Sequence, residues 1–138
     1  RINYVMDIPF TKAHGTGNDF IILYSDDLKH IDLNPKIVKT IAQRRTGIGA
    51  DGLLLLSPHK SLDFKMDYYN SDGTWETFCA NGARCAVKLL YEKKYIKEKS
   101  SFPFLGEAIK TCSEFLFFPY VYTKVSLSVI KIFATSAA

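Results

Sequence analysis

The cleanest alternation in the chain covers residues 62–69. Leu62, Phe64, Met66 and Tyr68 fall on one side, and Asp63, Lys65, Asp67 and Tyr69 on the other. A period of two predicts a half-buried antiparallel strand. Asn70-Ser71-Asp72-Gly73 supplies hairpin-turn residues, and 74–78 return. Upstream, 7–13 and 19–24 read as short strands around the turn His14-Gly15-Thr16-Gly17-Asn18, where glycine serves positive φ or close backbone approach. Gly52 to Ser57 is a continuous apolar run, hence a buried strand. Two stretches have helical periodicity. Asn34-Pro35 opens the first, with Asn as N-cap and Pro at the first helical position. Its stripe is Ile37, Val38, Ile41 and Ala42, and Gly47 and Gly49 stop it. The second follows Cys79 and runs to about Tyr95, with Ala83, Ala86, Val87, Leu90 and Tyr91 inward. Beyond Ser100 the pattern thins. Residues 102–111 read as a strand pair around Gly106, 124–129 as a strand, and 134–138 as a frayed end. Strands with two helices and no βαβ rhythm predict an α+β fold with a mainly antiparallel sheet.

Composition narrows the class. The chain has 138 residues, 47% apolar and 23% charged, which fits one globular domain and excludes wholesale disorder. The net charge of +4 is spread out. Its one dense run, Lys93, Lys94, Lys97 and Lys99, is diluted by Glu92 and Glu98. That reads as a solvated helix end, not a nucleic-acid stripe, so no nucleic-acid partner is expected. No apolar run reaches membrane-spanning length, and 1–10 lacks a signal-peptide pattern. Three cysteines imply no disulfide framework. A cytoplasmic, thiol-reduced protein with no membrane partner is the expectation.

One glycine-rich stretch is a decoy, and a second is no phosphate site. Gly47-Ile48-Gly49-Ala50-Asp51-Gly52 satisfies GxGxxG, but a helix precedes it and a strand follows, the reverse of a dinucleotide fingerprint. Residues 14–18 carry no Lys-Ser/Thr and are no phosphate loop. The cysteines lack zinc-ligand spacing, so no metal is expected. Cys85 reads as packing, and Cys112 as structural or incidental. Cys79 differs, because it stands just before a helix, where free N–H groups and the dipole favour a thiolate. Ala80-Asn81-Gly82 leave backbone N–H groups open to an anion. The residues alone leave two readings open: a base or nucleophile beside an anion site, or a cysteine buried at a helix start. His14 is a conceivable partner base in the glycine-rich turn, whereas His30 and His59 read as surface histidines. A proton-transfer cysteine needs no such partner.

Four motifs carry a resemblance. His14-Gly15-Thr16-Gly17-Asn18-Asp19-Phe20, Arg45 to Leu53 (RTGIGADGL), Asn70-Ser71-Asp72-Gly73 and Cys79-Ala80-Asn81-Gly82-Ala83-Arg84-Cys85 resemble, in order and spacing, the amino-terminal lobe of diaminopimelate epimerase. The resemblance covers residues 8–95, with an echo over 106–111. It implies one lobe of a two-lobed fold, an antiparallel sheet wrapped around a central helix. The lobe would occupy 1–114, with 115–138 an unassigned tail holding a strand. It further implies cofactor-free epimerisation of LL- to meso-diaminopimelate, in lysine biosynthesis. Two cysteines on opposite faces of the α-carbon would transfer the proton, and this chain would supply one. Carried over by position, Cys79 is the acid/base, Ala80 and Asn81 hold the α-carboxylate, and Asn18 and Asn70 bind the rest of the amino-acid substrate. Without the resemblance, Asn18 and Asn70 read as turn residues. Ala80 departs from the family's common Gly. Position 52 is Gly where some members carry a substrate-contacting Gln, so no role is carried onto it. The partner cysteine would come from a second lobe, and homodimer formation is an open alternative. A different reading makes the chain a catalytically silent binding module, or a related amino-acid racemase or isomerase.

Overall fold

A computed structural model describes residues 2–29, 31–97, 101–104, 107–111, 121–122 and 128–136. Strand β1 (Ile2–Gly15) and strand β2 (Asn18–Tyr24) form a hairpin closed by Thr16 and Gly17. Both turn residues have positive φ (58° and 86°), as a two-residue turn matching strand twist requires. The turn is tighter than the five-residue loop expected, because His14 and Gly15 remain in the ladder, opposite Asp19 and Asn18.

After β2, a single 3₁₀ turn over Ser25–Leu28 leads to helix α1 (Pro35–Ala42). Asn34 caps it, its side chain accepting from the Ile37 N–H at 3.0 Å. The helix ends at Ala42, before the glycines expected to stop it. Gly47 and Gly49 instead fold back over its end, and the Ile48 and Gly49 N–H groups donate to the Ile41 carbonyl. Strand β3 (Gly52–Ser57) then pairs parallel with β2, Phe20 opposite Gly52. β2, α1 and β3 thus make one βαβ crossover, a parallel pairing that the sequence pattern did not show. A single crossover leaves no rhythm to detect. Strand β4 (Lys65–Asn70) returns antiparallel to β3, and strand β5 (Trp75–Glu76) adds a short edge. β4 begins three residues later than the alternation suggested, after bends at 60–63.

Helix α2 (Ala80–Glu92), with Cys79 as N-cap, packs against β1, β2, β3 and β4. It is the central helix about which the sheet wraps. One face of the sheet buries Phe20, Ile22, Leu54 and Leu56 against Ala83, Ala86, Val87 and Leu90 of α2. The other buries Ile21, Leu23 and Leu53 against Val38 and Ile41 of α1. Both faces are covered, and that is why β2 and β3 are apolar at consecutive positions. Tyr91, expected inward, is 43% exposed. Leu89 and Cys85 take the inward places instead. The fold is therefore α+β with a mainly antiparallel sheet, as expected.

Strands β6 (Ser101–Phe104) and β7 (Glu107–Thr111) form the expected antiparallel pair. Strand β8 (Val121–Tyr122) joins β1 at His14 and Gly15. Strand β9 (Ser128–Ser136) pairs along Ile2–Phe10. Residues 134–136, expected to fray, are thus in register with Ile2–Tyr4. β1 starts five residues before its predicted limit and offers them a ladder. His30, Gly106, Cys112 and 124–127 lie outside the described residues.

Candidate functional site

The sheet places two predicted residues at one end. Asn18 opens β2, and Asn70 closes β4. Gly52, opening β3, pairs with both Phe20 and Asn70. The N-terminus of α2 reaches the same end, where a Cβ on Gly15 would stand 3.2 Å from the Asn81 Cβ. Gly82 brings α2 against β3, since a Cβ there would lie 3.0 Å from Leu54 Cδ2. These close approaches explain why small residues flank the site.

Cys79 is half-buried. Its thiol donates to Asn18 Oδ1 at 3.8 Å, and its sulfur accepts from the Gly82 N–H at 3.5 Å. The first intrahelical bond runs from the Ala83 N–H to the Cys79 carbonyl (2.9 Å). The N–H groups of Ala80 and Asn81 therefore precede the helical ladder at the positive end of the helix dipole. Ala80 takes helical backbone, and among the described non-glycine residues only Thr16 and Lys94 have positive φ. Its methyl group therefore needs no strained conformation.

Asn18, Cys79 and Asn81 are in direct contact: Asn81 Nδ2 donates to Asn18 Oδ1 at 3.2 Å. Asn70 stands apart from them. Its Oδ1 accepts from the Tyr68 hydroxyl (2.7 Å), and its Nδ2 donates to Thr74 Oγ1 (3.1 Å) and Glu76 Oε1 (3.4 Å). Tyr68 was not singled out by sequence. Its signal was its place with Leu62, Phe64 and Met66 on one side of the 62–69 alternation. Burial, then the neighbouring Cys79 and Glu76, push its hydroxyl pKa upward, so Tyr68 is a neutral donor at physiological pH. His14, the conceivable partner base, lies in β1 at the hairpin end. Its Nδ1 accepts from the Gly17 N–H (3.2 Å) and so braces the turn. His59 caps the 60–62 bend in the same way, accepting from Ser61 and Leu62.

A charged cluster adjoins Asn18. Arg44 donates to both Asp19 oxygens (3.0 and 2.8 Å) and to Asp51 Oδ1 (2.7 Å). Lys12 bridges Asp19 Oδ2 (2.9 Å) and the Gly49 carbonyl. Burial raises the Asp19 pKa, but hydrogen bonds from Arg44 and Lys12 outweigh it and hold the carboxyl well below its usual range. The GxGxxG stretch thus has a structural use, presenting Asp51 to Asp19 and Asn18.

A family model described as diaminopimelate epimerase matches residues 10–114. Curated relatives named diaminopimelate epimerase include those of Alkaliphilus metalliredigens (40% identical over 94 residues, 68% of this chain and 33% of the relative), Flavobacterium psychrophilum (46% over 91, 66% and 36%) and Clostridium perfringens (37% over 101, 73% and 37%). The chain spans about a third of the length of these relatives. Two solved structures share the fold at low identity. One is a methylitaconate-delta-isomerase (TM-score 0.55, 17% identical, 67% of this chain and 29% of that one). The other is a Bacillus anthracis phenazine biosynthesis protein of the PhzF family (TM-score 0.51, 18%, 73% and 33%). With the family model covering most of its length, the chain belongs to the diaminopimelate epimerase family.

Proposed function

We propose that this chain supplies one acid/base cysteine of a cofactor-independent epimerase that interconverts LL- and meso-diaminopimelate. The observation that carries the reading is Cys79 at the N-cap of α2, its sulfur against the Gly82 N–H and beside the N–H groups of Ala80 and Asn81. A substrate α-carboxylate on those two N–H groups brings the α-carbon to the cysteine. The same donors stabilise the negative charge that builds on the carboxylate as the α-proton leaves. Cys79 takes the proton as thiolate or delivers it as thiol, and a second cysteine acts on the opposite face. In this reading that cysteine comes from a second lobe. Asn18 and Asn70 meet the remaining polar groups of the substrate, since amides both donate and accept.

The test is α-deuterium incorporation. LL-diaminopimelate is incubated in deuterium oxide with the native polypeptide carrying this sequence. The expected result is exchange at one stereocentre with formation of the meso isomer, lost by at least about 100-fold in Cys79→Ala. No exchange by the native polypeptide, or equal exchange by Cys79→Ala, overturns the reading. A second reading, a silent binding lobe, is favoured by one observation: Trp75 (55% exposed) and Phe78 (40% exposed) present apolar surface on the segment that leads into Cys79. In that case the substrate binds but exchanges no deuterium.

A further inference from the structure

Four polar side chains form a line through the site. Arg84 donates to Asn81 Oδ1, Asn81 Nδ2 donates to Asn18 Oδ1 (3.2 Å), and Asn18 Nδ2 donates to Asp51 Oδ2 (2.9 Å). The first member can only donate, and the last, a carboxylate, can only accept. A chain of two amides between an obligate donor and an obligate acceptor has one direction. Reversing either amide would set two donors or two acceptors against each other. Asp51 is itself fixed: Arg44 holds its Oδ1 at 2.7 Å, and the Asp19 N–H donates to its Oδ2 at 3.3 Å.

We propose that Asp51 is a positioning residue that locks the Asn18 amide with its carbonyl oxygen toward the Cys79 sulfur. An amide free to turn would offer Cys79 either a donor, which favours thiolate, or an acceptor, which favours thiol. Locked, Asn18 offers only the acceptor, and the Cys79 thiol donates to it. The Gly82 N–H, donating to the same sulfur, pulls in the opposite sense. Asp51 thus fixes which end of the Asn18 amide faces a sulfur that Asp51 does not touch. The same lock decides which substrate group Asn18 can meet, namely a donor such as an ammonium. The proposal rests on the reading of Cys79 as acid/base for its purpose, but not for its geometry.

The test measures alkylation of the 138-residue chain by iodoacetamide at neutral pH, resolved cysteine by cysteine by mass spectrometry. Asp51→Asn frees the amide, and Asn18→Leu removes the acceptor. Each is expected to raise the Cys79 rate about 3- to 10-fold, since the sulfur loses the acceptor to which its proton is donated. The double variant is expected to exceed neither single one, because both break the same link. Cys85, fully buried, reports loosening and is expected to stay unlabelled in all three. An unchanged Cys79 rate in folded Asp51→Asn, multiplying effects in the double variant, or labelling of Cys85 in step with Cys79 overturns the proposal. Should Asp51→Asn fail to fold, Asn18→Leu alone decides: an unchanged rate removes the link from Asn18 to the sulfur. Coupling with no deuterium exchange by the native polypeptide supports the lock and overturns the epimerase reading, so the two fail separately.

Discussion

Gly52 is a residue whose importance lies in the side chain it lacks. A Cβ at this position would stand 2.5 Å from Tyr68 Cε2 and 2.9 Å from the Tyr69 carbonyl, so the ring of Tyr68 occupies the space. Gly52→Ala must displace that ring and with it the hydroxyl bonded to Asn70. The expected cost is about 1–3 kcal/mol, read from urea denaturation midpoints. Tyr68→Phe, which removes the hydroxyl and keeps the ring, should cost only about 1 kcal/mol. A Gly52→Ala midpoint equal to that of the parent chain would show that the ring moves freely. At this scale the sequence was partly legible. Cys79 and its small neighbours announced a helix start with open N–H groups, and local chemistry sufficed for that. Asp51 could not be read in the same way, because the amide it holds lies far along the chain, and the short Arg84–Asn81 and Tyr68–Asn70 bonds matter only once Asn81 has met Asn18 across the sheet. Asp51 meets Asn18 across 33 positions, and Asn81 meets Asn18 across 63. No local pattern encodes contacts made by the sheet.

Elements were legible where one face had one environment. Asn34-Pro35 predicted the start of α1, and the Asn34 side chain does cap it. β3 was read residue for residue, because a strand covered on both faces is apolar throughout. The parallel pairing of β2 with β3 was not read, since parallel and antiparallel buried strands share one composition. Nor was the pairing of β9 with β1, which joins the two ends of the sequence. α1 holds the outer face of the sheet through Val38 and Ile41, both nearly inaccessible to solvent. It has only eight residues, too short to persist without packing and a cap. Asn34→Ala is therefore expected to cost about 1–2 kcal/mol, while Asn34→Asp should cost only a few tenths. Equal losses in the two variants, by chemical denaturation, would mean that Asn34 acts through something other than its carbonyl oxygen.

For the molecule as a whole, the two sheet faces give stability a pH dependence that can be worked out in sign. On the α2 face, Cys85 is fully buried, and burial pushes its thiol up to about 12. In the unfolded chain a thiol titrates near about 8.5. Between those values the folded state keeps a proton that the unfolded state has lost, so stability falls as pH rises. The contribution is fully present below about pH 8.5 and is lost progressively toward pH 12, amounting to about 2 kcal/mol by pH 10. Tyr24, pushed up to about 12 by burial and then by Tyr95 and Asp27, adds a slope of the same sign above pH 10. The acid side belongs to Asp19. Its folded pKa is depressed, so its contribution is present above the ordinary carboxylate range and is lost as pH falls through that range and below. The Cys85 contribution can be isolated by difference, because every other titrating group is common to the parent and a Cys85→Ala variant. The variant loses some packing at pH 7, but its unfolding free energy should approach that of the parent by about 2 kcal/mol between pH 7 and pH 10. Urea denaturation at the two pH values measures that gap. A gap that stays constant would mean that the thiol ionises within the folded core, and that the α2 face admits water at Cys85.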